Sequence, residues 1–230
     1  MTNYRSLASA SALLLCLLLG FTACDNDSYE TGDTDLSYLH ADFVMAHTAA
    51  AKQVVDAVND DGESISLDKP LDCEWATEAN SSYRALLYYT YNKVEDEKPH
   101  AVSIVSVPVL TPKPLAEGEQ EGTDPVGWES AWLSKNGQFL NLSILLKNGT
   151  ADGLDTKQVV GVVKNESEQN ADGTTTHHLA FYHLQNGVPE YYTSRLYVSI
   201  PTDDYRSGDT VVLTVNTYSG IVERTFVVSR

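Results

Sequence analysis

With 230 residues, 42% of them hydrophobic and 20% charged, the chain is long and apolar enough to bury a core in one large domain or two small ones, which excludes a disordered polymer. Lys and Arg number 15 against 32 Asp and Glu, a formal net charge of -17, so a nucleic-acid backbone would be repelled and a polybasic grip on anionic lipid is excluded. Any hold on a membrane must then come from something other than surface charge.

Residues 1–23 carry Arg5, no acidic residue, an apolar stretch over 12–21, and small residues Thr22 and Ala23 directly before Cys24. That order of charge, apolar run and small residues is the pattern of a cleaved export signal. The run is shorter than the ~20 residues of a permanent spanning helix. Phe21-Thr22-Ala23-Cys24 resembles the bacterial lipobox, with Phe at a position usually held by Leu. The resemblance implies cleavage before Cys24 and a diacylglyceryl group on its sulfur, which anchors the protein to a membrane. Residues 24–36, acidic and without a base, read as a solvated tether. Asp25 and Asp27, interrupted by Asn26, resemble the acidic run behind the lipidated cysteine of surface-exported Bacteroidetes lipoproteins. The expected location is therefore the bacterial outer membrane, lipid-anchored, on its surface or its periplasmic face. With Cys16 lost in the leader and Cys24 acylated, Cys73 has no partner in the chain and is expected as a buried structural thiol.

From residue 36 onward apolar residues recur at every second position, which predicts an all-β chain. Residues 37–114 offer strands at 38–47, 53–58, 63–67, 83–92 and 101–110, with Asp60-Asp61-Gly62 as a turn. Five short strands suit a small barrel of the oligonucleotide/oligosaccharide-binding (OB) type. The alternative in this block is a helix over 46–58, favoured by Ala49-Ala50-Ala51. Pro112, Pro114, Gly118, Gly122, Pro125 and Gly127, mixed with acids, mark a domain boundary, with a linker at 115–127. Residues 128–230 offer strands at 138–147, 157–164, 175–185, 191–200, 210–217 and 222–228, separated by turns such as Asn186-Gly187. Leu140, Leu142, Ile144 and Leu146 point one way and Asn141, Ser143 and Lys147 the other, expected to be wet. The prediction for this part is an antiparallel β-sandwich.

The lipobox, the early Tyr38-Leu39-His40-Ala41-Asp42-Phe43 strand followed by an Asp-Asp-Gly turn, and the closing Tyr218-Ser219-Gly220-Ile221-Val222 hairpin together resemble the NigD-like lipoproteins of Bacteroidetes. The resemblance implies an N-terminal OB-type domain followed by a C-terminal β-sandwich, the division reached above from periodicity. Its name derives from a bacteriocin gene cluster, and it carries no activity that maps onto residues here.

His177 and His183 would share a strand face and His178 the opposite one, so the three cannot hold one ion alone, and surface histidines are expected. Acidic turns at Asp60-Asp61, 152–155 and Asp203-Asp204 lack the spaced calcium loop and read as solvated. No Gly-x-Ser-x-Gly elbow is present and no local His/Cys pairing singles out Cys73 as a nucleophile, while a carboxylate pair for glycoside cleavage, set by the fold and not by spacing, stays open, so no catalytic residue, metal or cofactor is assigned. The binding candidate is the strand on which Tyr191, Arg195 and Tyr197 alternate opposite Tyr192, Leu196 and Val198, whose rings could stack on a glycan or a protein partner or simply cover the sheet. Expected functions are a non-enzymatic binding or assembly lipoprotein of the envelope, a bacteriocin-related protective or immunity lipoprotein, or a surface glycan-binding or glycan-processing protein.

Overall fold

A computed structural model describes residues 39–90, 98–153 and 155–229. The leader 1–23, the lipidation candidate Cys24 and the tether 24–36 lie outside the described residues. Twelve strands run through the described part: β1 (Leu39–Ala50), β2 (Gln53–Asn59), β3 (Ser64–Asp72), β4 (Ser82–Thr90), β5 (His100–Ser106), β6 (Gly127–Leu133), β7 (Phe139–Asn148), β8 (Val159–Gln169), β9 (Thr175–Leu184), β10 (Tyr192–Pro201), β11 (Thr210–Thr217) and β12 (Gly220–Val227). The described residues are all-β, an OB-like five-stranded barrel followed by a β-sandwich.

The barrel strands lie in the order β3-β2-β1-β4-β5. Its two edges come together where the Asp68 amide donates to the Pro99 carbonyl at 3.0 Å and the Asp68 carboxylate meets His100 Nδ1 at 2.9 Å. Val44 and Ala46 of β1, Val54 and Ala57 of β2, Ile65 and Leu67 of β3, and Ala85, Leu87 and Tyr89 of β4 fill the interior. Each fully buried branched side chain there contributes roughly 1.5–3 kcal/mol. Cys73 is buried in the same cluster, and burial pushes its thiol pKa up. The helix alternative over 46–58 is overturned: the residues belong to β1, β2 and the hairpin between them, where Lys52 takes φ 64°. Val54 and Ala57 are more valuable buried in a sheet than the modest helix propensity of three alanines.

The sandwich stacks a three-stranded sheet, β10-β7-β6, on a four-stranded one, β12-β11-β9-β8. Neighbours are antiparallel except β9 and β11, which run parallel from Thr176 to Ala180. Leu140, Leu142 and Ile144 of β7, Val198 and Ile200 of β10, and Val211, Leu213 and Val215 of β11 meet between the sheets, all at 0% exposure. The opposite face of β7 is polar as expected but not wet: Asn141 is 0% and Ser143 3% exposed, because the barrel packs there.

The Pro/Gly-rich stretch is stitched to the sandwich. The Ser199 amide donates to Pro108 and the Leu110 amide to Ser199, along the outer edge of β10. Lys113, flanked by Pro112 and Pro114, exchanges backbone bonds with Val162 and Lys164 on the outer edge of β8. Gly122 and Asp124 bond to His183, and Val126 to Asn216 and Tyr218, so the stretch wedges between β9 and β11 where their pairing ends. Strand β6 follows directly at Gly127, where no strand was expected.

A candidate binding cleft between barrel and sandwich

On β4 the side chains alternate, Ala85, Leu87 and Tyr89 inward and Arg84, Leu86 and Tyr88 toward the sandwich; β1 likewise turns Ala41 and Phe43 outward. Arg84 is 1% exposed at its side chain and forms the centre of a buried polar network. Its Nη1 and Nη2 donate to the two oxygens of Asp60 at 2.7 and 2.8 Å, its Nη2 also to Asn141 Oδ1 at 3.0 Å, and its Nε to Ser199 Oγ at 3.0 Å. Asn141 Nδ2 donates to Asp60 at 2.9 Å and Ser199 Oγ to Asn141 at 2.7 Å, while the guanidinium lies 4.1 Å from the Phe139 ring centre. Asp60 and Arg84 belong to the barrel; Asn141, Ser199 and Phe139 belong to the sandwich. A planar fork matched bidentately by a carboxylate fixes angle as well as distance, so the network sets how one module sits on the other. Beside it the Asn136 amide donates to the Asp60 carbonyl at 2.8 Å, and Lys135 Nζ to Asp61 at 2.5 Å. The expectation of a solvated Asp60 turn is thus overturned by a cation supplied from β4, 24 residues away.

Next to this bolt the two modules diverge and leave a cleft of about 440 Å³, within the ~300–1,000 Å³ range of small-molecule sites. Phe43 and Tyr88 line it from the barrel, and Trp132, Glu129, Ser130, Ser143, Arg195 and Tyr197 from the sandwich. The Phe43 ring is near-perpendicular to both Trp132 (78°, 5.4 Å) and Tyr197 (87°, 5.4 Å), so it forms a floor between two aromatic walls. A second recess beside Trp132 and Phe43 is lined by Asp42, Asn59, Asp60 and Asp61.

Strand β6 carries a bulge between Trp128 and Ser130. Trp128, Ala131 and Leu133 pack on the sandwich core, so the extra residue turns both Glu129 and Ser130 toward the barrel. Glu129 accepts from Arg195 Nη2 at 2.7 Å and from Ser143 Oγ at 2.6 Å, with a further bond from Arg195 Nε. These bonds hold its carboxyl pKa down to about 2, with the hydrogen bond from Arg195 the largest cause, and raise that of Arg195.

Of the three residues singled out on the sequence, Arg195 and Tyr197 line this cleft together. Tyr191 does not join them: it precedes β10, is 73% exposed, and lies against Gly149. The reading of the histidines as surface groups is overturned for His183, which is 1% exposed, with Nε2 facing Gln158 Oε1 at 2.9 Å and Nδ1 the Asp124 carbonyl at 3.1 Å. His177 approaches the carboxylate of Asp209 at 3.3 Å. Among the described residues no three His, Cys, Asp or Glu side chains converge as a metal site. Sequence reasoning missed Phe43, Tyr88, Trp132, Glu129 and Arg84, since each belongs to a strand whose outward face gives no local sign of facing another module.

Comparison with known proteins agrees with this architecture. The NigD-like C-terminal beta sandwich domain matches residues 108–228. A NigD-like immunity protein from Bacteroides caccae is similar in structure at 24% identity and a TM-score of 0.64, covering 82% of this chain and 96% of that one. A toxin related protein, provisionally so named, from Parabacteroides distasonis follows at 17% identity and a TM-score of 0.57, covering 82% and 92%. A provisionally named lipoprotein from Bacteroides fragilis is similar at 11% identity and a TM-score of 0.57, covering 82% and 96%. No curated protein matches. With more than half its length matched by the sandwich profile, the chain belongs to the NigD-like family.

Proposed function

We propose that the protein is a non-enzymatic lipoprotein of the bacterial outer membrane, held by lipid on Cys24, that binds a ligand in the cleft between its barrel and its sandwich. The observation that carries the reading is the cleft itself: a Phe43 ring near-perpendicular to Trp132 and to Tyr197, beside a buried network that holds the two walls in register. Preorganised aromatic walls with a few fixed polar groups are the usual make-up of a binding site. Glu129 fits binding better than catalysis, because a carboxyl with a pKa of about 2 neither donates a proton nor accepts one strongly near neutrality. The lipobox-like Phe21-Thr22-Ala23-Cys24 and the provisional lipoprotein name of the Bacteroides fragilis relative support the anchor.

Two measurements test the reading. Palmitate labelling and membrane fractionation should be lost in Cys24→Ala. Thermal shift against fractionated envelope extracts should show a fraction that stabilises the protein and stabilises Trp132→Ala at least tenfold less. Equal stabilisation of both proteins by every active fraction would refute the cleft.

A second reading, protection against a bacteriocin at the envelope, is favoured by the name of the Bacteroides caccae relative as a NigD-like immunity protein. It expects deletion of the gene to raise bacteriocin sensitivity, and unchanged sensitivity counts against it.

A further inference from the structure

The ligand chemistry of the cleft follows from how its charges are spent. Glu129 is neutralised by Arg195, Asp60 by Arg84 and Asp61 by Lys135, while Asp42 accepts the Tyr89 hydroxyl at 2.6 Å. The adjoining recess sets the carboxylates of Asp42, Asp60 and Asp61 against the two cations Arg84 and Lys135 that pair Asp60 and Asp61, a balance that disfavours an anionic ligand. A cationic one would have to compete for Glu129 with a guanidinium that already holds it twice and lies 5.9 Å from the Tyr197 ring centre. In the cleft itself Glu129 and Arg195 cancel, so no net charge is presented to a ligand there. What the cleft offers instead is the rings of Trp132, Tyr197 and Tyr88 together with a planar donor–acceptor pair, Arg195 and Glu129, and the Ser130 hydroxyl.

On these grounds, and resting on the reading of the cleft as the binding site, we propose that the ligand is an uncharged saccharide in ring form. A pyranose carries C–H bonds of partial positive charge on one face and hydroxyls around its rim. The C–H face complements the quadrupole of an aromatic ring, and each rim hydroxyl can accept from a guanidinium while donating to a carboxylate. Phe43, packed near-perpendicular against both Trp132 and Tyr197, makes with them a continuous aromatic surface against which such a flat, amphipathic ring can lie. Glu129 stays ionised and in place without the ligand, and the bulge at 129–130 adds a second polar group on the same side. The sites of the polar groups are therefore set before binding, which lowers its entropic cost.

The test is a panel of neutral gluco-, manno-, galacto- and xylo-oligosaccharides, with sialylated, sulfated and chitosan oligomers as charged counterparts. Binding to the mature protein is read by tryptophan fluorescence and calorimetry. The expected result is binding by at least one neutral series, weakened at least tenfold in Trp132→Ala and in Arg195→Gln, with binding by the charged counterparts no tighter. Arg195 is 53% exposed at its side chain, so Arg195→Gln should remain folded, with at most a small drop in unfolding temperature, and isolate the binding effect if Trp132→Ala is poorly folded. If an envelope fraction gives a cleft-dependent shift while no neutral saccharide binds, the saccharide assignment is overturned and the cleft stands. If saccharides bind equally well to both variants, the site assignment falls as well.

Discussion

Replacement of Arg84 by Met tests whether the buried network, and not general apolar contact, joins the barrel to the sandwich. The change keeps the hydrocarbon part of the side chain and removes the guanidinium over Phe139 with its four donated bonds: two to Asp60, one to Asn141 and one to Ser199. Asn141 and Ser199 still satisfy each other, but the Asp60 carboxylate, 16% exposed, keeps only the Asn141 amide. Breaking a buried pair by removing one partner costs about 3–5 kcal/mol. At ~2–4 °C per kcal/mol for a chain of this size, the unfolding midpoint should fall by roughly 6–20 °C. Adding Asp60→Asn removes the stranded charge, so the double variant should recover at least ~2 kcal/mol relative to the sum of the single changes. Urea unfolding followed by tryptophan fluorescence reads all three variants. A loss below about 1 kcal/mol in Arg84→Met, or additive single effects, would refute the argument.

Two further outcomes follow from local geometry. A Cβ on Gly122 would lie 2.5 Å from the Tyr182 ring, and Gly122 also accepts from His183, so Gly122→Ala should destabilise by about 1–3 kcal/mol in thermal unfolding. The Asp209 carboxyl lies below the usual carboxylate range because it accepts backbone bonds from Arg206 and Thr175, with a smaller contribution from His177. A depressed folded-state pKa gives stability that is present above the unfolded value and lost as pH falls through the folded one. Asp209→Asn should therefore cost ~1–3 kcal/mol at pH 7, and the gap to the parent should narrow as the pH drops below about 4.

Elements were legible where one face is apolar over its whole length. The run Leu140, Leu142, Ile144, Leu146 placed β7 and its inward face correctly, since all four are buried in the sandwich core. The Asn186-Gly187 turn takes φ of 50° and 71°, the paired positive values for which that dipeptide is suited. Strand β6 was illegible because the bulge at 129–130 breaks its alternation just where a Pro/Gly-rich stretch already suggests a break. The polar face of β7 signalled solvent because Asn141 and Ser143 prefer water unless their bonds are supplied, and here Arg84 and Asp60 of the barrel bond Asn141 while Glu129 of β6 bonds Ser143. The site was half legible. Arg195 and Tyr197 alternate visibly on one strand, but the residues that complete the cleft come from β1, β4 and β6 and meet only through tertiary packing. The Arg84 contacts span 24, 57 and 115 residues, separations that no local pattern encodes.

The proline-flanked contact at Lys113 has a consequence for behaviour in crowded settings. In extended chain successive amides point to opposite sides, so when Lys113 donates inward to β8, residues 112 and 114 should offer their donors outward. Both are proline and have none. A foreign strand arriving at that rim finds too few hydrogens to zip against, and growth of fibres by strand addition is arrested there before it starts.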